Sequence, residues 1–167
     1  GDVYKRQVAA QPKRKHTPFR IVYAGLLGVA QDIYSIIENI PFQSIGAEFH
    51  LYGGGNQTEK IKEYINKHPG CFVYYHGYVK KEQIAEELSR YDASIVPLTV
   101  AIKGAVPSKI YDLIPIGIPI LFCGGGEGAE IVSKYYFGMV SKPHDFKQLH
   151  NNIIELINLP DEEYSTI

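Results

Sequence analysis

The feature that most constrains this chain is a repeated ending. Short apolar runs stop on glycine and give way to a helix-compatible stretch. FRIVYAG, FHLYGGG, CFVYYHG and IPILFCGG all have this form, and ASIVPL supplies another apolar run between them. Helical patterns fill the intervals: Ile33, Ile36 and Ile37 up to Pro41, residues 58–67, 80–90, a short helix from Pro107, one near 126–134 and one near 145–157, with a short strand near 137–141. Strands of four to six residues alternating with helices of about ten predict an α/β fold with a doubly wound, mostly parallel sheet. Near-continuous apolar strands fit burial on both faces, and right-handed crossovers place helices on both sides.

The rest of the chain sets limits on function. Its 167 residues fit one domain, and a net charge of -1 gives no overall basic surface for nucleic acid. No apolar run reaches the roughly 18–20 residues that span a bilayer. Cys71 and Cys123 read as reduced, buried thiols, and neither has metal-site spacing. Residues 1–18 are polar and basic and read as a solvated linker or a non-native leader; the closing LPDEEYSTI shows no element and reads as a truncated tail over 158–167. Residues 19–157 form the predicted domain.

In such a sheet, ligands bind outside the carboxyl ends of the strands. Gly25 and Gly28 follow the first strand, Gly53, Gly54 and Gly55 the second, Gly77 the third, the loop 99–106 with Lys103 the fourth, and Gly124, Gly125 and Gly126 the fifth. Gly25, Gly53, Gly77, Lys103 and Gly124 are expected along one edge. Glycine there allows close backbone approach, and open N–H groups after the first and fifth strands favour an anion. Each cluster is also an ordinary strand terminator, and none completes a dinucleotide or P-loop fingerprint. On the helix from Pro107, Ser108 and Asp112 share a face, and Lys109 neighbours Asp112. This is either an ordinary surface pair or a cation and a carboxylate spaced for a diphosphate and a ribose. Pro115 and Gly117 end that helix.

The strings VYAGLLGVAQDIYSII, FHLYGGG, FVYYHGYVKKEQIAEELSRYDASIVPL and PSKIYDLIPIGIPILFCGGGEGAEIV, in that order, resemble the C-terminal domain of family-4 glycosyltransferases. The resemblance implies a Rossmann-like fold, the C-terminal half of a GT-B enzyme. It implies a retaining, metal-independent transferase that uses a nucleotide-diphosphate sugar, UDP-sugar before GDP-sugar, with no further cofactor. Asp112 matches the ribose-binding glutamate, one methylene shorter, and Gly104 stands where the family's other glutamate would sit. Tyr78 and Val79 match positions beside the base, and Gly124–Gly126 and Glu130 border the sugar. No arginine or lysine lies in the loop 25–31, so Lys109, then Lys103, is expected to meet the diphosphate. No catalytic residue is assigned. The partners implied are the nucleotide-sugar donor and an N-terminal acceptor domain missing here. The setting implied is surface polysaccharide or glycoconjugate synthesis in the cytoplasm, with any contact to the inner face of the membrane made through the missing half. The alternatives are half of a nucleotide-sugar epimerase or a non-catalytic Rossmann-like binding module.

Overall fold

The computed structural model describes residues 14–98 and 108–167. Strands β1 (Phe19–Ala24), β2 (Ala47–Tyr52), β3 (Val73–Tyr75), β4 (Ala93–Pro97), β5 (Ile120–Cys123) and β6 (Gly138–Ser141) form one sheet in the order β3-β2-β1-β4-β5-β6. Every pairing is parallel. The chain runs outward from β1 to β3, then returns to place β4 on the other side of β1. That reversal makes a topological switch point between β1 and β4, where a crevice opens at the carboxyl edge.

Period-two alternation divides the strands between two cores. Phe19, Ile21 and Tyr23 of β1, Phe49 and Leu51 of β2 and Leu121 of β5 face one side. Helices α1 (Ile33–Asn39) and α3 (Thr58–Lys67) bury Ile33, Ile36, Ile37 and Ile61 against them. Val22, Tyr52, Val96, Ile120 and Phe122 face the other side. There they meet Leu88 of α4 (Ile84–Leu88), Ile110 and Leu113 of α5 (Ser108–Leu113) and Val132 of α6 (Gly126–Lys134). Helix α7 (Phe146–Asn158) returns to the first side through Leu149, Ile153 and Leu156, spaced as one helical stripe.

Three elements differ from the sequence expectation. The helix expected over 80–90 is a 3-10 turn, Lys81–Gln83, followed by the five residues of α4. A one-turn helix, α2 (Phe42–Ile45), lies between α1 and β2. The closing residues do form an element, α8 (Asp161–Tyr164), whose Tyr164 is buried edge-on to Phe19 and donates to the Asp92 carbonyl at 2.6 Å. The Asp92 carboxylate in turn accepts from the His16 and Arg20 amides at 3.1 and 2.8 Å, so the chain on both sides of the domain meets at this residue. The end of α5 is as expected: a 3-10 turn containing Pro115 follows it, and the Gly117 N–H bonds to the Leu113 carbonyl.

The glycine loops lie against one another at the carboxyl edge. Gly53 has φ +121, and a Cβ there would stand 2.0 Å from the Gly25 carbonyl oxygen. Gly70 has φ +82 but open space around it. We expect Gly53→Ala to destabilise the domain by about 2–4 kcal/mol and Gly70→Ala by about 1 kcal/mol, because only the first adds a backbone clash to the left-handed strain. Urea unfolding of the two variants measures the difference; equal losses would mean the Gly25–Gly53 approach is not constrained.

Candidate functional site

The parallel ladder continues beyond the strands and builds the floor of the crevice. Gly25 N–H donates to the Tyr52 carbonyl at 3.0 Å, Gly53 N–H to Gly77 at 2.8 Å and Leu27 N–H to Gly54 at 3.0 Å. The Tyr34 N–H, in the first turn of α1, donates to Gln57 Oε1 at 3.0 Å. These amides are therefore engaged, which narrows the expectation of open N–H groups after β1. After β5 only the first amide of the triplet is engaged in this way: Gly124 N–H donates to the Ser141 carbonyl at 2.9 Å. An anion at this edge must also be met by side chains.

Lys109 is placed to do so. From the first turn of α5 its side chain crosses to β1, where Nζ donates to the Ala24 carbonyl and stands 5.6 Å from the centre of the Tyr23 ring. A Cβ on Gly25 would lie 2.2 Å from Lys109 Cε, so glycine makes the crossing possible. Burial pulls the ammonium below the ordinary lysine value, and Asp112 partly opposes that shift. An ammonium has three donors; among the described residues only Ala24 takes one.

Two connected compartments open around this lysine. One, of about 350 Å³, is lined by Gly25, Leu26, Tyr52, Gly53, Gly54, Tyr78 and Val79. The other, of about 470 Å³, runs between α4 and α5 and is lined by Leu88, Ser94, Tyr111, Asp112 and Leu113. Ala24, Lys81, Ile84 and Lys109 belong to both. Tyr78 is 83% exposed and arches over Gly54, where a Cβ would meet its hydroxyl at 2.2 Å. Tyr52 forms the inner wall, its hydroxyl 2.6 Å from that of Tyr91 and 3.2 Å from Glu87.

Gly25, Tyr78, Val79, Lys109 and Asp112 are thus brought together. Gly28 is buried and accepts from the Asp32 N–H at 3.1 Å. Ser108 is exposed at the start of α5 and lines neither compartment. Gly124, Gly125, Gly126 and Glu130 stand at the same sheet edge, after β5 and on α6, but also line neither. Lys103, Gly104 and Pro107 lie outside the described residues. Sequence reasoning missed Tyr52, Lys81 and Ile84. Tyr52 could have been found, since it ends β2 on the same face as His50. Among the described residues no helix is long and apolar enough to cross a membrane.

Comparison with solved structures finds the same fold in several glycosyltransferases. Anabaena Alr3699/HepE in complex with UDP and glucose superimposes with a TM-score of 0.73 at 15% identity, over 99% of this chain and 44% of that one. A variant of S. aureus TarM in complex with fondaparinux, α-GlcNAc-glycerol and UDP gives 0.71 at 20%, over 93% and 31%. The catalytic domain of the Helicobacter pylori cholesterol-α-glucosyltransferase gives 0.71 at 19%, over 90% and 93%. The chain therefore spans less than half the length of the HepE and TarM chains. No curated protein matches in sequence. Residues 18–159 match the family described as Glycosyl transferases, group 1. With that match covering most of the chain, and with the fold and the switch-point cleft in agreement, the protein belongs to the group 1 glycosyltransferases.

Proposed function

We propose that this chain is the donor-binding half of a retaining, metal-independent glycosyltransferase whose donor is a nucleoside-diphosphate sugar, a UDP-sugar before a GDP-sugar. One observation carries the reading: α5 delivers a half-buried cation, Lys109, and a carboxylate, Asp112, three residues apart into one cleft at the switch point. The base rests against Tyr78, Val79 and Ile84. The Asp112 carboxylate accepts from the ribose hydroxyls, and the Lys109 ammonium meets the diphosphate and the charge that grows on it as the glycosidic bond breaks. The solved structures of HepE, TarM and pneumococcal GtfA in complex with UDP support that donor class. Gly124–Gly126 and Glu130 border the sugar from the neighbouring loop. The acceptor is held by a second, N-terminal domain, and the pathway is surface polysaccharide or glycoconjugate assembly in the cytoplasm.

Asp112→Ala is expected to weaken UDP binding by about 1.5–3 kcal/mol, the worth of a charge-assisted hydrogen bond, in a domain that stays folded. Calorimetry with circular dichroism checks this; unchanged affinity would make Asp112 an ordinary surface carboxylate. Lys109→Ala is expected to lose affinity for UDP and flatten its salt dependence while keeping affinity for uridine. Lys103→Ala is the comparison, and equal UDP binding by both variants and the parent would place the neutralising charge elsewhere. The isolated chain is expected to bind nucleotide and transfer no sugar. A radiolabel assay with candidate acceptors tests that, and sustained transfer would show that the acceptor site lies within these residues.

A further inference from the structure

A polar array on the second sheet face ends against the nucleotide cleft. Glu48, His50 and Tyr52 alternate along β2 and so share that face. His50 Nε2 lies 3.0 Å from Glu48 Oε1, and His50 Nδ1 lies 2.7 Å from His76 Nε2. A carboxylate only accepts, so the neutral His50 carries its proton on Nε2 and offers Nδ1 as an acceptor. His76 Nε2–H then donates to it. The two imidazole planes are within 3° of each other. The His76 ring stacks on Tyr52 at 4.8 Å, and Tyr52 is a cleft wall. Gly77, next in the chain, accepts from the Gly53 amide, and Tyr78 and Val79 line the cleft.

We propose that His76, gripped by His50, is a positioning residue for the nucleotide cleft, and that loading both rings with protons releases the grip. The inference rests on the donor-binding reading of that cleft. One added proton goes to His76 Nδ1 and leaves the bond between the rings intact. A second must go to His50 Nδ1, the acceptor itself, and sets N–H against N–H. The charged and titratable groups around the pair are few. Arg20 of β1 stands 3.7 Å from Glu48, Tyr74 of β3 stacks on His50, and Tyr91, Glu87 and Arg90 approach from α4 and the turn after it. Glu48 is shared with Arg20 and Glu87 with Arg90, so neither fully offsets an added imidazolium charge. Desolvation draws both rings below the ordinary histidine value, and for His76, which stays exposed to solvent, the neighbouring His50 adds to the effect; Glu48 opposes the shift at His50 and Glu87 at His76. The bonded pair therefore persists at neutral pH and parts only in acid.

The test compares UDP affinity of the parent chain, His76→Gln and His76→Leu by calorimetry at about pH 7.5 and at successively lower pH for as long as circular dichroism shows each chain folded. Glutamine keeps an N–H donor for His50 and can turn its amide to accept once His50 Nδ1 is protonated; leucine can do neither. Near neutrality His76→Gln should bind within roughly twofold of the parent and His76→Leu about five- to tenfold more weakly. In acid the parent should fall by a similar factor relative to His76→Gln; titration of the nucleotide phosphate is common to both and cancels in that ratio. Amide exchange at Gly53 and across 77–79 without nucleotide should be faster in His76→Leu. Full affinity and unchanged exchange in His76→Leu would overturn the positioning role. A parallel acid fall in parent and His76→Gln would overturn the release by protonation. A parent that binds no UDP would sink the donor-binding reading instead, and the exchange rates would then decide the positioning role alone.

Discussion

The backbone ladder that runs past the ends of β1, β2 and β3 governs the rest of the site. By bonding Gly25 to Tyr52, Gly53 to Gly77 and Leu27 to Gly54, it brings three loops to backbone contact. Contact that close admits no Cβ at Gly53 and leaves a slot beside Gly25. It also engages amides that elsewhere in such folds are turned towards anions. A floor built this way is rigid and shaped, with little positive charge of its own. The slot beside Gly25 is what lets α5 supply that charge through Lys109.

The two sheet faces divide the work. The face with Phe19, Ile21, Tyr23, Phe49 and Leu51 is covered by long helices and holds the strands in register. The other face is covered on its β1–β3 side only by a 3-10 turn and the short α4, with Tyr91 and Leu88 over Tyr52. Short cover leaves room for the cleft between α4 and α5. It also leaves the residues of β2, β3 and the position after β3 on that face polar or aromatic: Glu48, His50, Tyr74 and His76 stand where a longer helix would require aliphatic partners.

The strands, the glycine edge and the bounds of α3 and α6 were legible because each rests on local signals: an apolar run, a terminator, a helical stripe. The helix over 80–90 was overextended because its pattern rested on Ile84 and Leu88 alone, two residues that fit one turn as well as three. Helix α8 was illegible because a four-residue acidic turn has no periodicity, and its stability comes from Tyr164 finding Phe19 and Asp92 across the chain. The occupied amides of Gly25 and Gly124 depend on strand order, which no glycine count reveals. The His50–His76 pair was half legible. Alternation puts His50 and Tyr52 on one face, but the meeting with His76 needs the parallel register in which Leu51 faces Tyr75.

The placement of charge in the cleft follows from the length of α5. Six residues, then a proline-containing 3-10 turn, give this helix one full turn of side chains over the crevice. Within one turn, residues three apart are neighbours, so Lys109 and Asp112 must stand close; Asp112 raises the affinity of Lys109 for its proton against the pull of burial. A longer helix could carry its cation and carboxylate farther apart and leave each to solvent. Here the carboxylate partly opposes the burial of the lysine, while Lys81, which lines both compartments, leaves the cleft, among the described residues, with two cations to one carboxylate. In the donor-binding reading, that surplus suits a ligand anionic at one end and rich in hydroxyls at the other. In the same reading, the shorter reach of an aspartate keeps the carboxylate close to the helix, where it acts electrostatically on Lys109 and is offered to a ribose.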